Sequence, residues 1–140
     1  MRQTFIGVAA VAILTACGGT SPEAELRAAC EVVVADPEGQ EAMADMNADA
    51  DSFCACLNTN VLALSEDDQT KVRATLKYVA GKAEETGQGV EDVAGALIRD
   101  GMMAPDDEEL QAIIEGVPMV GELFDEIEEN FEDGTCKRAA

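Results

Sequence analysis

Residues 51–64, with the sequence DSFCACLNTNVLAL, decide the fold of this chain. At about 100° per residue, a helix over this stretch gathers its larger apolar side chains and one asparagine on a single face. The residues of that stripe are Phe53, Leu57, Asn60, Val61 and Leu64. Cys54 and Cys56 flank the stripe on opposite sides, because positions i and i+2 of a helix diverge by about 200°.

The N-terminus carries a second informative segment. An apolar run from Phe5 to Ala16 follows Arg2 and ends in Leu14-Thr15-Ala16-Cys17. The run is too short to span a membrane, which takes about 20 apolar residues. It resembles the lipobox signal peptide of bacterial lipoproteins. An ordinary secretory signal, cut after a small residue such as Ala10 or Ala12, stays open as an alternative.

The resemblance to lipoproteins implies a division of the chain into three parts. Residues 1–16 are then a signal peptide, residues 17–22 a lipidated cysteine with a short tether, and residues 23–140 an acidic helical domain. The acyl chains on Cys17 would anchor the protein in membrane lipid. Gly18 stands where lipoproteins retained in the inner membrane of enteric bacteria carry aspartate, which favours the outer membrane, facing the periplasm. At about 3.5 Å per residue, the tether keeps the domain within about 20 Å of the lipid surface.

Four further cysteines predict two disulfides. Cys30, Cys54, Cys56 and Cys136 are an even number in an exported chain, where disulfides form and persist. Cys54 and Cys56 would not join each other without unwinding their helix, since they diverge so widely. We therefore expect one of them to bond Cys30 and the other Cys136, with the choice between the two arrangements left open.

The chain before residue 64 is expected to form three helices. Ser21-Pro22 predicts a capped start with proline in the first turn, and Asp36-Pro37-Glu38-Gly39 predicts the end of that helix. A short helical piece is expected from Glu41 to Met46. It leads into the helix that carries the two central cysteines.

The chain after residue 64 continues the helical spacing. Ser65 begins a variant of the capping box, and the helix that follows is expected to end at Gly87. The next helix begins near Val90 and is expected to stop at Gly101, while Pro118 is expected to break or kink the one after it. No stretch alternates convincingly with period two. The sequence thus predicts an all-α protein, a single small bundle of five or six helices clamped by two disulfides.

The net charge of the chain limits the kinds of partner that it can bind. The 140 residues include 29 Asp and Glu against 9 Lys and Arg, a formal charge of −20. Removal of residues 1–16 takes Arg2 away and leaves 124 residues, enough for one domain, with a charge of −21. No cluster of Lys and Arg offsets this field locally, so we expect no nucleic-acid partner. An envelope protein with a basic patch is the expected partner, beside membrane lipid held through Cys17.

Residue types argue against an enzyme. The chain has no histidine, so Ser-His-Asp and Cys-His catalytic groups and His-ligated zinc sites are absent from the sequence. Carboxylate pairs are abundant, but the lack of tryptophan and the single tyrosine make sugar stacking improbable. We expect no catalytic residues and no cofactor, with an enzyme that uses carboxylates alone as a distant alternative.

One stretch resembles half of a calcium loop. Asp45, Asn47, Asp49 and Asp51 have the spacing of the first four EF-hand ligands. The second half of the loop is missing, because alanine stands at the glycine position and Cys56 at the position of the bidentate glutamate. The favoured interpretation is an acidic helix start, with Asp49 or Asp51 as the cap, and the four residues stay a weak metal candidate.

The cysteine and methionine residues suggest two further functions as alternatives. The thiols of Cys54 and Cys56, with the methionine thioethers, are ligand types that Cu(I) prefers. The two thiols could instead form a redox couple, although they lack the Cys-x-x-Cys spacing. Structural disulfides and methionines that fill the core are the simpler interpretation. We therefore expect a structural or protein-interaction module, with a carrier of a small ligand or of calcium or copper as the alternative.

Overall fold

The computed structural model describes residues 21–136, and these residues form six helices and no strand. The helices are α1 (Pro22–Ala35), α2 (Pro37–Asp45), α3 (Ala50–Ala63), α4 (Glu66–Thr86), α5 (Val90–Met103) and α6 (Glu108–Glu132). The predicted all-α bundle with two disulfides is confirmed. Within residues 21–136, no helix combines the length and the apolar character needed to cross a membrane.

The helix starts follow local sequence signals. Ser21 caps α1, where its Oγ accepts a hydrogen bond from the backbone N–H of Ala24 at 3.2 Å. Ser65 caps α4 in the same way, with the N–H of Asp68 as the donor at 3.2 Å. Gly87 ends α4 in the left-handed conformation, at a φ of 69°, which glycine adopts without a steric penalty. These three boundaries agree with the predictions.

The segment after α1 differs from its prediction. Residues 36–39 were expected only to end a helix, but α2 begins at Pro37 and not at Glu41. Asp36 serves both helices, because it is the C-terminal cap of α1 and its carboxylate accepts a hydrogen bond from the N–H of Glu38 at 3.2 Å. A proline in the first turn lacks only an N–H that no helical carbonyl would have accepted. The same four residues therefore end one helix and start the next.

The predicted stop at Gly101 and the predicted break at Pro118 are wrong. α5 passes through Gly101 and ends at Met103, since Gly101 is buried against Ile114 of α6. α6 passes through Pro118 without a break, as a single helix of 25 residues. Proline removes one helical hydrogen bond, but the buried side chains of Leu123, Ile127 and Phe131 keep the following turns packed on the core. Tertiary packing outweighs the local signal at both positions.

The two disulfides fix α3 at the centre of the bundle. Cys30 of α1 bonds Cys54, and Cys136, which follows α6, bonds Cys56. The two central cysteines thus bond different partners, as predicted. The structure also settles the pairing that the sequence left open. The main core surrounds α3, where Leu57 and Val61 are fully buried. A second, smaller cluster joins the end of α4 to α5 through Val79, Ala83, Val93 and Leu97.

Candidate binding cavity

An apolar cavity lies where the C-terminal end of α1 meets α2, the N-terminal turns of α3 and α5, and the middle of α6. Its volume is about 290 Å³. Apolar side chains from all five helices line it, among them Val34, Met43, Met46, Phe53, Val90 and Phe124. A ligand pocket of this kind combines apolar walls with a few polar groups at defined places.

The apolar wall is built around two aromatic rings. Phe53 stands in the first turn of α3 and is buried, while Phe124 on α6 is half-buried. Their ring centroids lie 5.4 Å apart with planes at 77°, an edge-to-face arrangement that fixes both rings. Met43 is the buried residue of α2, so this short helix closes one side of the cavity.

Carboxylates form the rim of the cavity. The rim residues are Asp36, Glu38, Glu91, Asp125 and Glu128, and we call this set the acidic rim. Among the residues that the structure describes, neither lysine nor arginine lines the cavity. Among residues 21–136, the six salt bridges all lie elsewhere, so no described Lys or Arg nitrogen is within 4.0 Å of a rim carboxylate.

Asp36 connects the two sides of the rim. One carboxylate oxygen accepts the hydrogen bond from Glu38 of α2, and the other accepts one from the N–H of Val90 of α5 at 3.3 Å. The N-terminal ends of α2 and α5 are therefore held next to each other. Helix N-termini carry partial positive charge, which partly stabilises the acidic residues gathered there.

Two carboxyl groups of the acidic rim, those of Glu38 and Glu91, interact unfavourably when both are charged. Glu38 and Glu91 approach closely enough for their carboxyl groups to share a hydrogen bond, and this contact raises the pKa of Glu38 above its ordinary value of 4.5. The negative charges of Glu91, Asp36 and Asp92 act in the same direction. A cation at this position would replace repulsion with attraction.

The calcium candidate is dispersed over two helices and their connection. Asp45 ends α2, Asn47 adopts a left-handed φ of 48°, and Asp51 pairs with Arg27 of α1. Asp49 caps α3, where its carboxylate accepts hydrogen bonds from the N–H and the hydroxyl of Ser52 at 2.9 and 2.7 Å. The cap interpretation is thus confirmed for Asp49. In the part of the chain that the structure describes, no three His, Cys, Asp or Glu side chains are grouped to hold a metal ion.

The sulfur atoms of residues 21–136 are spread over separate parts of the fold. All four described cysteines are in disulfides, so none of them is a thiolate in this structure. Met43 and Met46 line the cavity, whereas Met102 and Met103 at the end of α5 are exposed, by 77% and 85%. Cys17, the predicted lipidation site, lies outside the described residues.

Sequence reasoning missed the cavity. It treated the rim carboxylates as part of a diffuse negative charge, because they come from three separate places along the chain. The one available signal was the dense group of turn and cap residues at 36–39, which the prediction used only as a helix end. Comparisons of the chain with protein families, curated proteins and solved structures gave no match.

Proposed function

We propose that this chain is a lipid-anchored acidic lipoprotein of the bacterial cell envelope that acts as a protein-interaction module through its acid-rimmed cavity. The resemblance of residues 5–17 to a lipobox supports the anchor, and Gly18 supports a place on the outer membrane, facing the periplasm. The acidic rim around apolar walls supports binding of a basic partner.

The acidic rim is the observation that carries this proposal. Most charged side chains of an acidic protein are simply solvated, but here five carboxylates converge on one apolar cavity without a described basic neighbour. Such a field raises the association rate of a basic partner and discriminates against acidic ones. The apolar walls then offer a desolvated pocket for an anchoring side chain, which is where interfaces concentrate their binding energy.

The fold also limits the distance between the cavity and the proposed lipid surface. α1 begins at Pro22, next to the proposed tether, and the cavity lies at its other end, at Val33, Val34 and Asp36. A helix of 14 residues is about 21 Å long at about 1.5 Å per residue. With a tether of about 20 Å, the cavity would lie within about 40 Å of the lipid surface. The proposed partner is therefore also an envelope protein.

Photo-crosslinking tests the interaction. A photoreactive residue at Ala42, which is exposed and lines the cavity, is compared with one at Ala112, which is exposed on α6 and does not. We expect a covalent adduct with an envelope protein from position 42 alone, and we expect high salt to abolish it. Equal adducts from both positions would contradict the proposal. So would adducts from position 42 that map only to residues 137–140 of the same chain, because the cavity would then take its own basic tail.

Intact mass tests the anchor. We expect protein purified from its native membrane to have the mass of residues 17–140 with acyl chains, and four thiols to become reactive only after reduction. An unlipidated chain would remove the anchor from the proposal. Thiols that react before reduction would remove a disulfide instead.

The size of the cavity favours a second candidate, a carrier of a small ligand. A volume of about 290 Å³ is close to the lower end of ligand pockets, which hold roughly 300–1,000 Å³. Native mass spectrometry distinguishes the two functions. A carrier purified gently would retain a small molecule that denaturation releases, whereas an interaction module would not.

A further inference from the structure

We propose that Glu38 and Glu91 together bind the guanidinium or ammonium group of one basic residue of the partner, while the cavity takes an apolar side chain that neighbours it. This inference rests on the proposed function and specifies the chemistry of its site. The occupant is a protein segment in which arginine or lysine stands next to a large apolar residue.

The two carboxylates stand in the first turns of two helices. Glu38 lies in the first turn of α2 and Glu91 in the first turn of α5, and the hydrogen bonds of Asp36 hold these two turns together. Both carboxylates line the same cavity, so together they offer several acceptor oxygens to one cationic group. A planar guanidinium, with five donors, matches such a group of acceptors better than any neutral side chain does.

The apolar walls of the cavity favour an occupant larger than a simple cation. A bound divalent ion requires six or more oxygen ligands or retained water, whereas the cavity that the two carboxylates border has apolar walls that include Phe124, Val34 and Met46. Burial of these side chains against an apolar group is favourable, because it removes apolar surface from water. The occupant therefore joins one cationic group to an apolar body, as adjacent residues of a peptide do.

The chain's own described cations do not fill this role. Four of the six Lys and Arg residues in 21–136 are already in salt bridges, namely Arg27, Lys71, Lys77 and Lys82. None of the six lines the cavity. Within residues 21–136, no lysine or arginine therefore neutralises Glu38 and Glu91.

Three synthetic hexapeptides test the occupant. The first alternates leucine and arginine, the second replaces each arginine by glutamine, and the third replaces each leucine by serine. Binding is followed through the ¹³C-labelled methyl groups of methionine, since Met43 and Met46 line the cavity while Met102 and Met103 lie exposed at the end of α5. We expect the leucine–arginine peptide to shift the first two signals and leave the second two unchanged. We expect the other two peptides to bind at least about tenfold more weakly, because each lacks one of the two groups.

Charge-neutral variants test the assignment to the two carboxylates. We expect E38Q/E91Q to bind the leucine–arginine peptide at least about tenfold more weakly at low salt. The matched control is E84Q/E122Q, in which both positions are exposed and neither lines the cavity. The affinity of this control for the leucine–arginine peptide should fall by less than about twofold, because only long-range charge attraction is lost.

The outcomes separate the two proposals. If the leucine–arginine peptide leaves Met43 and Met46 unchanged, the cavity does not bind a basic partner segment and the proposed function fails. If the peptide shifts them but E38Q/E91Q and E84Q/E122Q weaken it equally, the interaction module stands and this assignment fails. Equal binding of the leucine–glutamine peptide would also overturn the assignment.

Discussion

Thr75 on α4 donates a hydrogen bond of 2.6 Å to the backbone carbonyl oxygen of Ile113 on α6. Thr75 is one of the few buried polar side chains in residues 21–136, and this bond satisfies its hydroxyl in the core. Gly116 makes the close approach possible, because a Cβ there would collide with Thr75 Oγ1 and lie 2.7 Å from the carbonyl oxygen of Lys71. The close contact between α4 and α6 therefore includes backbone atoms of Lys71, which cannot move aside as a flexible side chain can.

Substitution of Gly116 should separate these two helices. We expect G116A to lower the free energy of unfolding by about 1–3 kcal/mol, the usual cost of overpacking a tight contact. The control is G121A in the same helix, where a Cβ meets nothing within 4 Å. That variant should be more stable than the wild type by about 0.5–1 kcal/mol, because alanine favours the helix. Urea unfolding of the disulfide-bonded proteins measures both, and equal effects of the two would refute the role of Gly116.

The two disulfides should differ in their contribution to stability. Cys30 and Cys54 are 24 residues apart, whereas Cys56 and Cys136 are 80 apart. From loop-closure entropy, we expect C30A/C54A to lower the free energy of unfolding by about 3.5 kcal/mol and C56A/C136A by about 4.5 kcal/mol. Chemical denaturation of the two variants measures the difference. A larger loss from C30A/C54A would show that contacts in the folded state outweigh the entropy of the unfolded chain.

Asp49 should act as a helix cap and not as a calcium ligand. We expect D49A to lower the free energy of unfolding by about 1 kcal/mol, because two hydrogen bonds at the start of α3 are lost. D49N is the matched control and should keep most of the stability, since asparagine caps helices about as well as aspartate. Calorimetric titration with calcium completes the test. Micromolar binding would contradict the cap interpretation.

Glu38 should make the protein less stable as the pH rises. The contact with Glu91 and the nearby negative charges raise the pKa of Glu38 above 4.5, so the folded state binds this proton more tightly than the unfolded state. The stabilisation is fully present below pH 4.5 and is lost as the pH rises through the raised pKa. We expect E38Q to reduce this loss, because glutamine does not titrate.

Urea midpoints at a series of pH values measure the effect of E38Q. The control is E84Q, which removes one carboxylate at an exposed position away from the cavity. We expect E84Q to follow the pH dependence of the wild type. An identical pH dependence for E38Q would show that Glu38 and Glu91 do not interact in solution.

Most of the helices could be predicted because their signals are local. Ser21, Ser65 and Gly87 act through backbone atoms within a few residues, so their roles follow from the sequence around them. The cysteine helix is similar, since the divergence of Cys54 and Cys56 depends only on helical periodicity. Where the prediction was wrong, at Gly101 and Pro118, the deciding contacts came from residues distant in the chain or from the core.

By itself, the sequence determined the fold class, the caps at Ser21, Ser65 and Gly87, and the separate partners of Cys54 and Cys56, because each depends on interactions over one or two turns of helix. Only the tertiary structure decided that Cys54 takes Cys30, that α6 continues through Pro118, and that the carboxylates of the acidic rim meet around one cavity. These outcomes depend on how helices pack against each other. Packing brings together side chains that are far apart in sequence. The helical periodicity within one segment does not depend on those contacts and therefore does not predict them.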